Sequence, residues 1–245
     1  MTPYLVKLKS SLDDFIQSGD ISGLSDFLAG LTSESTGLSS EHISFLKSQY
    51  NPAWWQPITT DRLSVRRRDS RDAAFVQECF LNAEFATRFM RDFVPANISR
   101  LTELEQDLKN EFLAPPTVQK NAVWVVSRGA ESLGLIALAN IDNRHRSAEL
   151  LVGFPLHRPL LSVKATIYLI DHLFRCLNIE KLVSHVFSDN QHSQHSTESL
   201  GFVREGFLRA EFRSRDGTRL DLYRNGLLKD DFYSVQLVRK ILSLL

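Results

Sequence analysis

Cysteine is almost absent from this 245-residue chain, and its two thiols, Cys79 and Cys176, stand in apolar surroundings without Cys-x-x-Cys spacing. That pattern suits reduced thiols rather than a disulfide framework. Net charge is absent as well. The 29 basic residues cancel the 29 acidic ones, so no long-range field draws in nucleic acid or an anionic membrane, and partners must be found by local contacts. No uninterrupted apolar run approaches the roughly 20 residues of a membrane helix. The opening Met-Thr-Pro-Tyr-Leu-Val-Lys lacks the basic-then-apolar order of a secretory signal. A cytoplasmic protein without nucleic-acid or membrane partners is the expectation. Asp189, His192 and His195 fall one ligand short of a tetrahedral set on a stretch better explained otherwise, so no metal is expected.

What is present is sustained amphipathic patterning on a chain long enough to bury a substantial core. Val6, Leu8, Leu12, Phe15 and Ile16 fall mostly on one helical face, and Leu24, Phe27, Leu28 and Leu31 do the same beyond Gly19, predicting two short helices. A Ser/Thr/Gly-rich stretch from Thr32 to Ser40 leads to a third helical segment at 41–50, which Asn51-Pro52 ends. A boundary near Pro57 separates a helical N-terminal extension, residues 1–56, from a main domain, 57–230, and a C-terminal helix, 231–245. The extension reads as a packing element, with Trp54-Trp55 as its apolar clamp; a docking arm for a protein partner is the alternative.

Within the main domain, Leu63 and Val65 alternate as in a strand, and the acidic Asp69 and Asp72 offer caps for a helix over Ala73–Leu81. Apolar runs at 122–127 and 133–141 are joined through Gly129 as a hairpin, and Ala148–Phe154 makes a third strand. Ile167, Ile170, Leu173, Phe174 and Leu177 stripe a helix over 164–177, and Lys181–Phe187 follows as a buried strand. A short helix and two strands complete the order, which predicts a mixed α/β sheet. Arg66, Arg67, Arg68 and Arg71 lie in an Asp-containing segment and are expected to form a solvated edge.

The most specific stretch runs from Asn190 to Phe202: an Asn, Ser193 three residues on, and Gly201-Phe202 eleven residues after the Asn. Ala210-Glu211-Phe212 and Asp221-Leu222-Tyr223 follow it, and Thr60-Asp61-Arg62-Leu63-Ser64-Val65-Arg66 precedes it. Together these resemble the GNAT acetyltransferases over about residues 58–228, and within them the RimJ/RimL-type subgroup, whose members acetylate N-terminal amines of ribosomal proteins. The resemblance implies an α/β fold with a mixed, mostly antiparallel twisted sheet flanked by helices. It implies an N-acyltransferase, with acetyl-CoA or another acyl-CoA as co-substrate and a primary amine of a peptide or protein N-terminus or a small metabolite as acceptor. By the same resemblance, Ser193 is the acid near the sulfur, Glu211 the base, Asn190 the cap that contacts the pantetheine arm, and Val152, Gly153 and Phe154 the strand edge beside it. Gly201-Phe202 is structural, and Asp221 and Tyr223 are family positions on the last hairpin.

Amide formation from a thioester needs a neutral amine, an acceptor for its proton, donors for the oxyanion and an acid for the departing thiolate. Ser193 in a first helical turn suits the acid and Glu211 in a core strand the proton acceptor, partial burial being expected to raise the pKa of Glu211. Glycine is missing where this chemistry most wants it. GNAT enzymes hold the CoA diphosphate on an Arg/Gln-x-x-Gly-x-Gly/Ala turn, whereas this chain reads His157-Arg158-Pro159-Leu160-Leu161-Ser162-Val163-Lys164, with Pro159 lacking an N–H. Arg158, Ser162 and Lys164 are the residues left to bind the cofactor there. Two other readings stand beside the free-CoA enzyme: a binding or regulatory protein on this scaffold, or an acyltransferase whose donor rides on an acyl carrier protein.

Overall fold

A computed structural model describes residues 3–60, 62–90, 97–156, 158–214 and 217–243. The extension forms α1 (Pro3–Ser18), α2 (Ile21–Gly30), α3 (Ser33–Thr36) and α4 (Ser40–Gln49). Local chemistry sets their starts: Asp20, Thr32 and Ser39 each accept a hydrogen bond from a first-turn amide, satisfying donors a helix leaves orphaned. The main domain follows as β1 (Ile58–Thr59), β2 (Ser64–Arg67), α5 (Ala73–Leu81), α6 (Ala83–Met90), α7 (Leu101–Leu113), α8 (Pro116–Gln119), β3 (Ala122–Arg128), β4 (Glu131–Asp142) and β5 (Ser147–Gly153). Then come α9 (Pro159–Cys176), β6 (Lys181–Phe187), α10 (Gln191–Ser199), β7 (Val203–Arg213), β8 (Arg219–Leu228), α11 (Lys229–Ser234) and α12 (Gln236–Leu242).

The eight strands form one sheet in the order β1-β2-β3-β4-β5-β6-β8-β7. Neighbours are antiparallel except β5 and β6; a parallel pair needs a long crossover, and α9 supplies it. The central strands are apolar without alternation because both faces are covered. Trp124, Val126, Ile136 and Leu138 pack in the core shared by the extension, α9, α11 and α12, while Val125, Leu135 and Ala137 pack under α5, α6 and α7. The extension is therefore part of the main core. Trp54 lies 6.2 Å from Trp124 between ring centroids, Trp55 Nε1 donates to the Phe112 carbonyl at 2.7 Å, and Asn51 donates to the Cys176 carbonyl at 3.1 Å.

Three expectations need correction. The segment before Lys164 is not a loop: α9 begins at Pro159, where a first-position proline costs no hydrogen bond. The C-terminal segment is two helices, because Val235 adopts an extended backbone and packs its methyl against Gly201. The basic run is solvated only at Arg71, whose side chain is 76% exposed and pairs with Asp69. Arg67 is 2% exposed and donates to the Glu111 carbonyl at 3.2 Å, Arg68 pairs with the Glu111 carboxylate, and Arg66 grips Asp72 with two hydrogen bonds. Arg67 thus serves, with Trp55, the orphan carbonyls at the end of α7. Burial pushes its guanidinium down to about 10. Of the two cysteines, Cys79 is buried, its thiol pushed up to about 12 mainly by burial, but Cys176 is exposed.

Candidate active site

The parallel pair β5–β6 stays in register for only three residue pairs, ending at Glu149↔Val183, although both strands run on. On its other side β5 remains bonded to β4 through Gly153, and β6 to β8 through Phe187. From Leu150 to Gly153 and from Ser184 to Phe187, two unpaired strand edges thus face each other across a splay. Because the strands are parallel, the helices that follow them, α9 and α10, both start at this open end. An extended ligand carrying amides meets there the backbone donors and acceptors that a strand edge offers.

Asn190 caps α10, its Oδ1 accepting from the Ser193 amide at 3.0 Å. Ser193 is half-buried in the first turn, and among the described residues its hydroxyl has no partner. The helix ends at Gly201, whose φ of +93° and close contact with Val235 exclude a side chain, and Phe202 beyond it is 4% exposed. Glu211 lies on β7, at the sheet edge. Between Leu208 and Phe212 that strand bulges: Ala210 takes φ +52°, its amide donates to Asp221 Oδ1 at 2.7 Å, and its carbonyl accepts from Arg219 at 3.1 Å. Glu211 is exposed within this bulge, so the burial expected of it is not there. Phe212 next to it packs edge-on against Phe187 at 5.2 Å, which brings the bulge to the end of β6 from which α10 starts. Tyr223 is half-buried with the Arg204 guanidinium 4.0 Å over its ring.

Of the strand-edge residues, Val152 is 40% exposed, whereas Gly153 is packed against Phe85 and Phe89 of α6 and Phe154 lies across Gly134. In the turn to α9, Arg158 pairs with Glu131 at 2.9 Å, Ser162 Oγ donates to the Pro159 carbonyl at 3.0 Å, and Lys164 is half-buried.

One pair went unseen as a unit in the sequence. Glu149, where strand pairing ends, holds His185 Nδ1 at 2.9 Å with one oxygen and Asn140 at 3.0 Å with the other. Burial pushes the Glu149 carboxyl up, but His185, Asn140 and Arg224 outweigh it and hold the carboxyl below its usual range. The signal was there: Ser184-His185 is a polar interruption inside the apolar Lys181–Phe187 strand. A cavity of about 830 Å³ opens elsewhere, between α4 and the α7–α8 turn, lined by Leu38, Phe45, Leu46, Leu113 and Val118 and by no residue of the splay.

Residues 62–203 match the acetyltransferase (GNAT) domain family. The chain belongs to the GNAT acetyltransferases. It is 27% identical over 172 residues, 67% of this chain and 92% of that protein, to the uncharacterized N-acetyltransferase YoaA of Bacillus subtilis (strain 168). Over 82 residues, 33% of this chain and 47% of the relative, it is 37% identical to a spermidine N(1)-acetyltransferase of Vibrio cholerae. Among solved structures, the Vibrio cholerae spermidine N-acetyltransferase in complex with CoA and spermine is similar with TM-score 0.59 at 24% identity, covering 71% of this chain and 99% of that one. The ribosomal-protein-S5-alanine acetyltransferase of Vibrio fischeri is similar with TM-score 0.62 at 16% identity, covering 72% and 98%. This GNAT enzyme carries the fold those likenesses share, and no helix among its described residues is long and apolar enough to cross a membrane.

GNAT acetyltransferases use acetyl-CoA. The pantetheine arm of CoA fits the unpaired edges at the splay. At the start of α9, Pro159 stands at the first helical position and the amides of Leu161 and Ser162 bond to the Arg158 carbonyl at 3.1 and 3.0 Å, the ordinary closure of a first helical turn.

Proposed function

We propose that this enzyme transfers an acyl group, most simply acetyl, from a pantetheine thioester to a primary amine of a peptide or protein N-terminus or of a small metabolite. The observation that carries the reading is the early end of β5–β6 pairing, which sets an unpaired strand edge beside a capped helix whose Ser193 hydroxyl has no partner among the described residues. In the proposed reaction the amine nitrogen bonds to the thioester carbon, Glu211 takes the amine proton directly or through water, and the C–S bond then breaks while Ser193 gives its proton to the leaving thiolate. Glu211, held out by the Ala210 bulge, is open to an incoming amine. Glu149 has both oxygens engaged and so orients His185 at the base of the splay rather than collecting protons.

The Asn190 to Ser193 spacing and Ala210-Glu211-Phe212 favour a RimJ/RimL-type acceptor, an N-terminal amine. The relatives named for spermidine favour a polyamine. A panel of both amine classes with acetyl-CoA separates these. On whichever amine is used, Glu211→Gln should lower turnover about a hundredfold, with donor binding intact. Ser193→Ala should cost less, because water replaces a hydroxyl donor more readily than a carboxylate base. Full turnover of Glu211→Gln from about pH 6 to 9 would move the base to Glu149 or Glu205.

A further inference from the structure

A primary amine reaches an enzyme at neutral pH mostly as an ammonium, an α-amine titrating near about 8 and an alkyl amine near about 10. The nitrogen of the product amide keeps one hydrogen, so two protons must leave. Glu211 accounts for the one lost after attack; the one lost before it, which frees the lone pair, needs an acceptor of its own. His185 stands where that acceptor is needed. It lies on β6 two residues past Val183, the last residue paired with β5, within the unpaired edge of the splay. Phe187, two residues and about 7 Å further along the same face, carries Phe212 and so the bulge of Glu211. The His185 side chain is 26% exposed, its Nδ1 lies 2.9 Å from Glu149 Oε1, and its Nε2 has no partner among the described residues. The charged groups around it are engaged with one another: Glu149 of β5 also accepts from Asn140 of β4, Lys181 of the same strand pairs with Glu205 of β7, and Arg224 of β8 stands 3.8 Å from Glu205. The helix α10 meets this strand through the uncharged Gln194. Against the upward push of burial, the hydrogen bond from His185 helps keep Glu149 ionised. A carboxylate can only accept, which puts the hydrogen of the neutral ring on Nδ1 and leaves a lone pair on Nε2.

We propose that His185 takes the first of the two protons, its Nε2 accepting from the ammonium that arrives at the splay, with Glu149 as the positioning residue that fixes the ring. The proposal rests on the acyltransferase reading above. The ammonium gives one proton to Nε2, the freed nitrogen bonds to the thioester carbon, Glu211 takes the second proton, and the C–S bond breaks as the thiolate takes a proton from Ser193. The proton on Glu211 restores Ser193 through water, and the one on His185 passes to solvent. Each turnover thus yields amide, thiol and one proton. The imidazolium formed in between lies against the Glu149 carboxylate, which stabilises it as a carboxylate behind a general-base histidine does.

Two measurements on the full chain test this. Nitrogen NMR of the isotope-labelled protein should show the neutral His185 ring carrying its hydrogen on Nδ1, the resonance being assigned by its loss in His185→Gln; a neutral ring protonated on Nε2 overturns the proposal. The second measurement follows kcat/KM from about pH 6 to 10 with acetyl-CoA and whichever of an alanine-initiated peptide and spermidine is acetylated. His185→Gln can use only amine that is already neutral in solution. Its kcat/KM should therefore climb about tenfold per pH unit below the pKa of the amine, more steeply than that of the wild type, and come within about threefold of the wild type above it. At about pH 7 the deficit for a peptide α-amine is then about tenfold. Glu149→Gln, which keeps a polar side chain against the ring but not its charge, should show a smaller deficit with the same recovery at high pH. A His185→Gln deficit that stays constant across pH would mark the ring as structural, and no deficit would make it a bystander; either overturns the proposal. Acetylation of neither amine overturns the acyltransferase reading, and this proposal with it.

Discussion

Arg67 shows how one side chain settles a question that charge counting gets wrong. Read along the sequence it belongs to a basic cluster; read across the strand it is the third member of the alternation Leu63, Val65, Arg67, and it is buried with them. Desolvation disfavours its charged form, as the value near 10 says, so relative to the unfolded chain its burial is a cost at neutral pH that fades only as pH rises through about 10. Arg67→Met should therefore change stability by only about 1 kcal/mol in urea unfolding, the lost carbonyl hydrogen bond being offset by relief of that cost. Glu111→Ala should cost about 3 kcal/mol, because it strips the partner from Arg68, whose side chain is 11% exposed, and the nearest negative charge from Arg67. The reverse order would mean that Arg67 is a net stabilising ion. At this scale the candidate site was legible only through resemblance: nothing in periodicity marks Ser193 or Glu211. The expectation of a buried Glu211 failed because an edge-strand bulge leaves no trace in hydrophobic alternation.

At the scale of elements, the legible parts were those whose burial is one-sided or total. The β3–β4 hairpin declares itself because cores on both sides demand apolar side chains there, the Ala148 strand and the stripe of α9 because one-sided burial repeats along them, and α5 ends where its apolar run ends. The segment from Asn82 to Asn121 went unread, and it holds α6, α7 and α8; of the thirteen residues of α7 only Leu104 and Leu108 are buried, too narrow a stripe to stand out. The split between α11 and α12 was equally hidden, since it follows from Val235 meeting Gly201 across the fold. Among these elements, the bulge of β7 is the one whose geometry bears on the proposed role of Glu211. Asp221→Ala removes the carboxylate that accepts the Ala210 amide. It should cost about 1 kcal/mol in stability but about tenfold or more in turnover, through misplacement of Glu211. Measured on the amine found for the wild type, unchanged turnover would show that the bulge does not position the base.

At the scale of the molecule, the N-terminal extension is not an appendage. Nine of its residues, Leu8, Leu12, Ile16, Leu24, Leu28, Leu31, Ile43, Trp54 and Trp55, are buried in the same core as the sheet. At roughly 1.5–3 kcal/mol each, their loss and the uncovering of Trp124 and Ile136 outweigh the roughly 5–15 kcal/mol by which domains are stable. A chain starting at Pro57 should be recovered unfolded or aggregated, as read by circular dichroism and gel filtration; a monomeric, cooperatively melting fragment would show that the extension is dispensable for folding. The sheet's two margins carry a different consequence. One ends in β1, only two residues long. The other is β7, eleven residues long and open along its outer side, the kind of margin on which chains polymerise by adding strands. There the irregularity at Ala210 breaks the row of outward amides and carbonyls, and Arg204, Glu205, Arg209, Glu211 and Arg213 stud it with charge. The kink that exposes the Glu211 carboxylate, the base proposed above, thus also interrupts the edge along which a second copy would have to add a strand.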